Sequence, residues 1–166
     1  MELKPIARDA IPRALQKAER YRLLNQPWAA QSICEDVLAV EPHNQEALVS
    51  LLLSLSDQFT GAPAEAYRRA HDLLREIKDE YQREYYRGIL AERRALAELE
   101  HGAHGSGANA YEWLREAMEA YERAEHLEPE DSDDATLRWN TCARLLNTRR
   151  EISPRAEPLY EPALED

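Results

Sequence analysis

One pattern occurs twice in this chain. Ala30, Cys34, Val37 and Pro42 stand at offsets 0, 4, 7 and 12, and Ala117, Tyr121, Ala124 and Pro129 repeat those offsets. Both copies close on Glu-Pro, as Glu41-Pro42 and Glu128-Pro129. Steps of four and three put the apolar residues on one stripe of an α-helix. The proline then pushes the residue before it out of helical geometry and ends the helix. A helix with one apolar stripe needs neighbours to cover it, which predicts a stack of helices built from repeated units.

The rest of the chain supplies those neighbours. Seven helices are expected. The first covers residues 6–24, with Ala14, Ala18 and Tyr21 on its inner stripe, and Asn25 and Gln26 form the turn after it. Pro27 opens the second helix, where its missing N–H costs nothing, and Pro42 closes it. Asn44 caps the third, which carries Leu48, Leu51, Leu52 and Leu55 and reads as the most buried helix. The turn 60–63 leads to a fourth with Ala66, Ala70, Leu73, Leu74 and Ile77 inward. A fifth spans 80–100 with Tyr81, Tyr85, Ile89 and Leu96.

Residues 101–109 hold three of the five glycines and read as a flexible loop. The sixth helix, 110–127, turns Trp113, Ala117, Tyr121, Ala124 and Leu127 inward. Ser132, Asp133 and Asp134 are expected to cap a seventh that ends near residue 150. Trp28 and Trp113 read as packing residues between helices. No segment alternates with period two, so no strand is expected.

Composition agrees with an all-α chain of one domain: 166 residues, 32% charged and only five glycines. The 21 basic and 32 acidic residues leave a net charge of −11, which works against non-specific adhesion to nucleic acid or an anionic membrane. Residues 1–15 are charged throughout and lack a signal-peptide core. The apolar run 47–55 is about half of what spans a bilayer. Cys34 and Cys142 fall on apolar stripes and read as buried thiols in a reducing compartment. The cytoplasm is the expected location.

Paired helices with short turns and a proline stop resemble the tetratricopeptide repeat. In residues 11–42, Tyr21, Ala30, Val37 and Pro42 match the family's small, aromatic and proline positions, while Cys34 replaces an aromatic and Ala14 and Ala18 replace a large residue and a glycine. In residues 110–129, Ala117, Tyr121, Ala124 and Pro129 match the second half of a repeat. The two matched prolines lie 87 residues apart, so the middle departs from the standard unit. The resemblance implies a right-handed α-solenoid over residues 1–152, followed by a proline-rich acidic tail at 153–166. It also implies a non-catalytic scaffold that binds a peptide or helix of another protein in its groove. Family members that clamp carboxylates do so with Lys and Asn on the first helices. Leu15, Glu19, Val49 and Leu53 stand at those positions here, so that activity is not expected.

On the seventh helix, Thr136, Asn140, Arg144 and Asn147 share one face beside the stripe Ala135, Trp139, Cys142 and Leu146. Asn bonds a peptide amide in both senses and Arg clamps a carboxylate bidentately, so these four are the expected partner-reading residues. In the tail, Leu159 and Tyr160 lie among prolines and acids and are expected to anchor it on a groove, its own or a partner's. The rival reading is an RNA-associated or regulatory domain using Arg138, Arg144, Arg149 and Arg150. His101 and His104 lack further ligands for a metal. Neither nucleophile–base pairing nor a phosphate-cradling loop is present, so no enzyme, metal or cofactor is expected. A monomer and a homodimer both fit the sequence.

Overall fold

The computed structural model describes residues 1–61 and 63–155. Among them the chain forms seven α-helices and no strand: α1 Ile11–Leu23, α2 Pro27–Val40, α3 Gln45–Ser56, α4 Pro63–Leu73, α5 Glu80–His101, α6 Ser106–Glu125 and α7 Asp134–Thr148. Short 3-10 turns precede α1 and follow α4. Each helix packs chiefly on its neighbours in chain order, and α1 meets α3, as α3 meets α5, across the intervening helix. The odd-numbered helices α1, α3 and α5 therefore form one row.

Local chemistry sets most boundaries. Pro12 sits in the first turn of α1 and Pro27 opens α2, both where an amide donor is dispensable. Asn25 turns the chain with φ of 56°, a conformation Asn tolerates. The Asn44 side chain accepts from the Ala47 amide at 2.9 Å and caps α3 as expected. α3 is the most buried helix: Ala47, Leu48, Leu51, Leu52, Ser54, Leu55 and Ser56 are all inside. Ser54 and Ser56 satisfy their hydroxyls on the carbonyls of Ser50 and Leu53, both at 2.7 Å, so they cost little there.

Several expectations fail, each for a local reason. Residues 101–109 are not a loop. α5 runs through His101, α6 begins at Ser106, and the four residues between them make a tight corner. Gly102 ends α5 at φ 60° and Gly105 starts α6 at φ 83°; these glycines mark left-handed caps rather than floppiness. Gly107 is needed for closeness. A Cβ there would stand 1.9 Å from the Glu151 carbonyl oxygen, because the chain after α7 returns across the start of α6 and buries Ile152. Arg155 then donates to Asn109 at 3.2 Å.

Tyr21, Leu127 and Trp28 do not face inward; Trp28 is 68% exposed. Tyr21 and Leu127 stand within two residues of the ends of their helices, past the last point at which a neighbour covers the stripe. Trp28 occupies the first turn of α2 and points off its flank. Trp113 does pack, edge-on to Tyr67 at 5.1 Å.

Two large cores result. One holds Ala18, Ala30, Cys34, Leu52, Phe59 and Leu74 with α1 to α5 around it. The second holds Ile89, Leu114, Tyr121 and Cys142 between α5, α6 and α7. Both cysteines are free and buried.

Candidate functional site

The row of odd helices leaves an open cleft on its outer side. From α1 come Leu15, Glu19 and Arg22; from α3, Glu46, Val49, Ser50 and Leu53; from α5, Gln82 and Tyr86. A stripe accounts for each contribution. Leu15 and Val49 lie on the edge of the buried faces of α1 and α3, and the next positions round each helix, Glu19 and Glu46, are exposed. The floor is thus apolar and the rim acidic. Among the described residues Arg22 is the one cation lining the cleft, and its Nε is held by Asp57 at 2.8 Å. Gln45 at the lower end is committed to structure: it accepts from the Lys78 amide at 2.8 Å and donates to the Glu76 carbonyl at 3.2 Å.

Two ionic knots tie the helices together, the first of them between α1 and α5. Asp57, just past α3, takes Arg22 from α1 and Arg93 from α5. Arg93 also donates to the Leu53 carbonyl at 3.2 Å and to the Ser56 hydroxyl, fastening α5 to the last turn of α3. The second knot is buried. Glu92 on α5 accepts from the Tyr121 hydroxyl at 2.7 Å and pairs with Arg138 of α7 at 3.4 Å. Burial, then the Glu92 carboxylate beside it, hold the Tyr121 hydroxyl protonated well above the ordinary phenol range. Arg138 is spent on this pair.

The expected partner-reading quartet stands elsewhere. The Thr136 hydroxyl donates to Glu125 of α6 at 3.2 Å, and Trp139 donates to Glu122 at 3.0 Å. Arg138 faces α5, and at 100° per residue the quartet lies on the opposite side of α7. Thr136 and Asn140 are half-buried, Arg144 and Asn147 exposed. None of the four lines the cleft. Leu159 and Tyr160 lie outside the described residues. By contrast Leu15, Glu19, Val49 and Leu53, where the sequence resemblance would put a carboxylate clamp, all line it together.

Sequence reasoning missed three supporting residues. Gly88 lets α5 and α6 approach: a Cβ there would meet the Tyr121 ring at 2.4 Å. Glu92 reads as one acid among many until its partners are known. Glu128 of the second Glu-Pro pair caps α7, accepting from the Ala135 amide at 3.0 Å, the Ser132 hydroxyl at 2.9 Å and the Tyr81 hydroxyl at 3.1 Å. Ser132 supports the cap as well, its hydroxyl accepting from the Asp134 amide at 3.4 Å, whereas the Asp133 side chain makes no capping bond. Burial opposes the Glu128 charge, but these hydrogen bonds outweigh it and lower its pKa below the ordinary 4.5.

Among the described residues no group of three or more His, Cys, Asp or Glu side chains could hold a metal ion, and no helix is long and apolar enough to cross a membrane. Comparison with known proteins finds no family model, curated protein or solved structure that matches this chain.

Proposed function

We propose that this chain is a non-catalytic interaction scaffold of the tetratricopeptide-like solenoid kind, and that its working surface is the cleft between α1, α3 and α5. The observation that carries this reading is the make-up of the cleft. Leu15, Val49, Leu53 and Tyr86 offer an apolar seat, Glu19 and Glu46 an acidic rim, and Gln82 an exposed side-chain amide. The chemistry fits a segment of another protein with an apolar anchor flanked by Lys or Arg. The ionic knot at Asp57 preorganises the walls, so the partner does not have to order them on binding. The α7 quartet serves as a second contact only for a partner long enough to wrap the end of the stack.

A peptide-display selection tests this. Sequences enriched by the wild-type chain should carry an apolar residue beside basic ones. Their affinity should fall at least about tenfold, roughly 1.4 kcal/mol, in Glu19→Lys/Glu46→Lys and in Leu53→Asp. Loss with Asn140→Ala/Arg144→Ala instead would move the site to α7. No enriched sequence at all would sink the reading.

A further inference from the structure

An apolar ridge at the α1–α2 corner has no cover. Leu23 is 82% exposed, Leu24 59% and Trp28 68%. Single exposed leucines are ordinary, but three large apolar side chains within six residues make a patch that calls for a partner. The corner is built rather than loose: the Asn25 amide donates to the Arg22 carbonyl at 2.9 Å and the Gln26 amide to Tyr21 at 2.8 Å. Leu24 also completes a stripe. Arg13, Lys17, Arg20 and Leu24 follow at steps of four, three and four, so they share one face of α1 and its continuation. All four are exposed, opposite the buried Ile11, Leu15 and Ala18. None of the three cations is in an ion pair among the described residues.

This basic face is local. Residues 1–22 hold six of the 21 basic residues and three of the 32 acidic ones, on a chain of net charge −11. Its counterpart stands at the other end of the stack. The α6–α7 corner carries Glu130, Asp131, Asp133 and Asp134, all exposed and none in an ion pair among the described residues. Leu127, 42% exposed, and Leu137, 60% exposed, flank that run. Each end thus joins uncovered leucine to unpaired charge, with opposite sign.

We propose that the occupant of the α1–α2 ridge is the α6–α7 corner of a second copy of this chain. Leu23, Leu24 and Trp28 of one copy seat against Leu127 and Leu137 of the next, with Arg13, Lys17 and Arg20 opposite the acidic run. A symmetric pairing of two ridges is disfavoured, because it would set the same three cations against themselves. The contact is heterologous, so each added copy leaves both kinds of end open. Assembly extends by further copies or closes into a ring.

Sedimentation velocity on the full chain tests this, with a ridge variant, Leu24→Ala/Trp28→Ala, and a corner variant, Leu127→Ala/Leu137→Ala. All four positions are exposed, and circular dichroism checks that the helices persist. For the wild type, the mean mass should rise with protein concentration. Its association should weaken at least about tenfold between roughly 0.05 M and 0.5 M salt. Each variant alone should stay monomeric, and an equimolar mixture of the two should stop at the dimer, joined by the one intact end of each. Any of three results overturns the proposal: a wild type that is monomeric throughout, association indifferent to salt, or a corner variant that assembles like the wild type.

Discussion

In the first copy of the repeated stripe Cys34 fills the place that Tyr121 fills in the second, and both side chains are fully buried. Tyr121 fits because Gly88 lies under its ring and Glu92 takes its hydroxyl. Cys34 has no such glycine to face; it sits among Ala18, Ala30, Leu51 and Leu52. The closing glutamates differ in the same way. Glu41 holds the Asn44 amide at 2.9 Å, and Asn44 caps α3, whereas Glu128 caps α7 itself. The offsets decide which face is buried. How large a residue may be there, and which oxygen caps the next helix, depend on the opposing element.

Exchanging the two solutions breaks the comparison most severely. Tyr121→Cys should cost about 3–5 kcal/mol in urea unfolding, since it empties a ring-sized space and strips Glu92 of its hydrogen bond. Gly88→Ala should cost about 1–3 kcal/mol by forcing the Tyr121 ring aside. In a Tyr121→Cys background the same change should be neutral or favourable, because only helix propensity remains. Additive costs would show that the ring and the glycine are not coupled.

The caps give smaller effects. Glu128→Ala should cost about 1 kcal/mol, and Glu41→Ala about half that or less, because Asn44 remains as the cap of α3. Glu128 also has a pH signature. Its lowered pKa stabilises the fold above the ordinary 4.5 and loses that contribution as pH falls through the folded value. Amide protection factors at the start of α7, taken relative to the intrinsic exchange rate at each pH, should therefore fall in acid, and Glu128→Gln should abolish the step. Unchanged protection factors down the acid range would remove Glu128 as the cap.

The two thiols should differ least. Burial raises the pKa of Cys34, and burial with Glu92 beside it pushes Cys142 up to about 12. Both are protonated at neutral pH, and neither should react with a thiol reagent until the chain unfolds. Rapid labelling of Cys34 alone would show that the first stripe is the looser of the two.

The legible parts of the fold were those set within a helix or its caps. Asn44, Pro27 and the Glu-Pro pairs mark ends because capping and proline sterics act over four residues or fewer. Glycine between α5 and α6 misled, since Gly102 and Gly105 lock a corner in the same conformations that would loosen a loop. The tetratricopeptide resemblance singled out Leu15, Glu19, Val49 and Leu53 as positions of a carboxylate clamp, but with the wrong residue types for one they carried no signal of their own.

By itself, then, the sequence determined the seven helices of the described residues, the middle of each inward stripe and two buried cysteines, because 3.6-residue periodicity needs no partner to be read. Only the tertiary structure decided which polar faces meet. Asp57 joins Arg22 to Arg93 across 35 and 36 residues, and Glu92 reaches Tyr121 across 29. Such pairs depend on how each helix is rotated against the next. That rotation set α1, α3 and α5 around a cleft, turned Arg138 toward α5, and left Thr136, Asn140, Arg144 and Asn147 on the far side of the last helix.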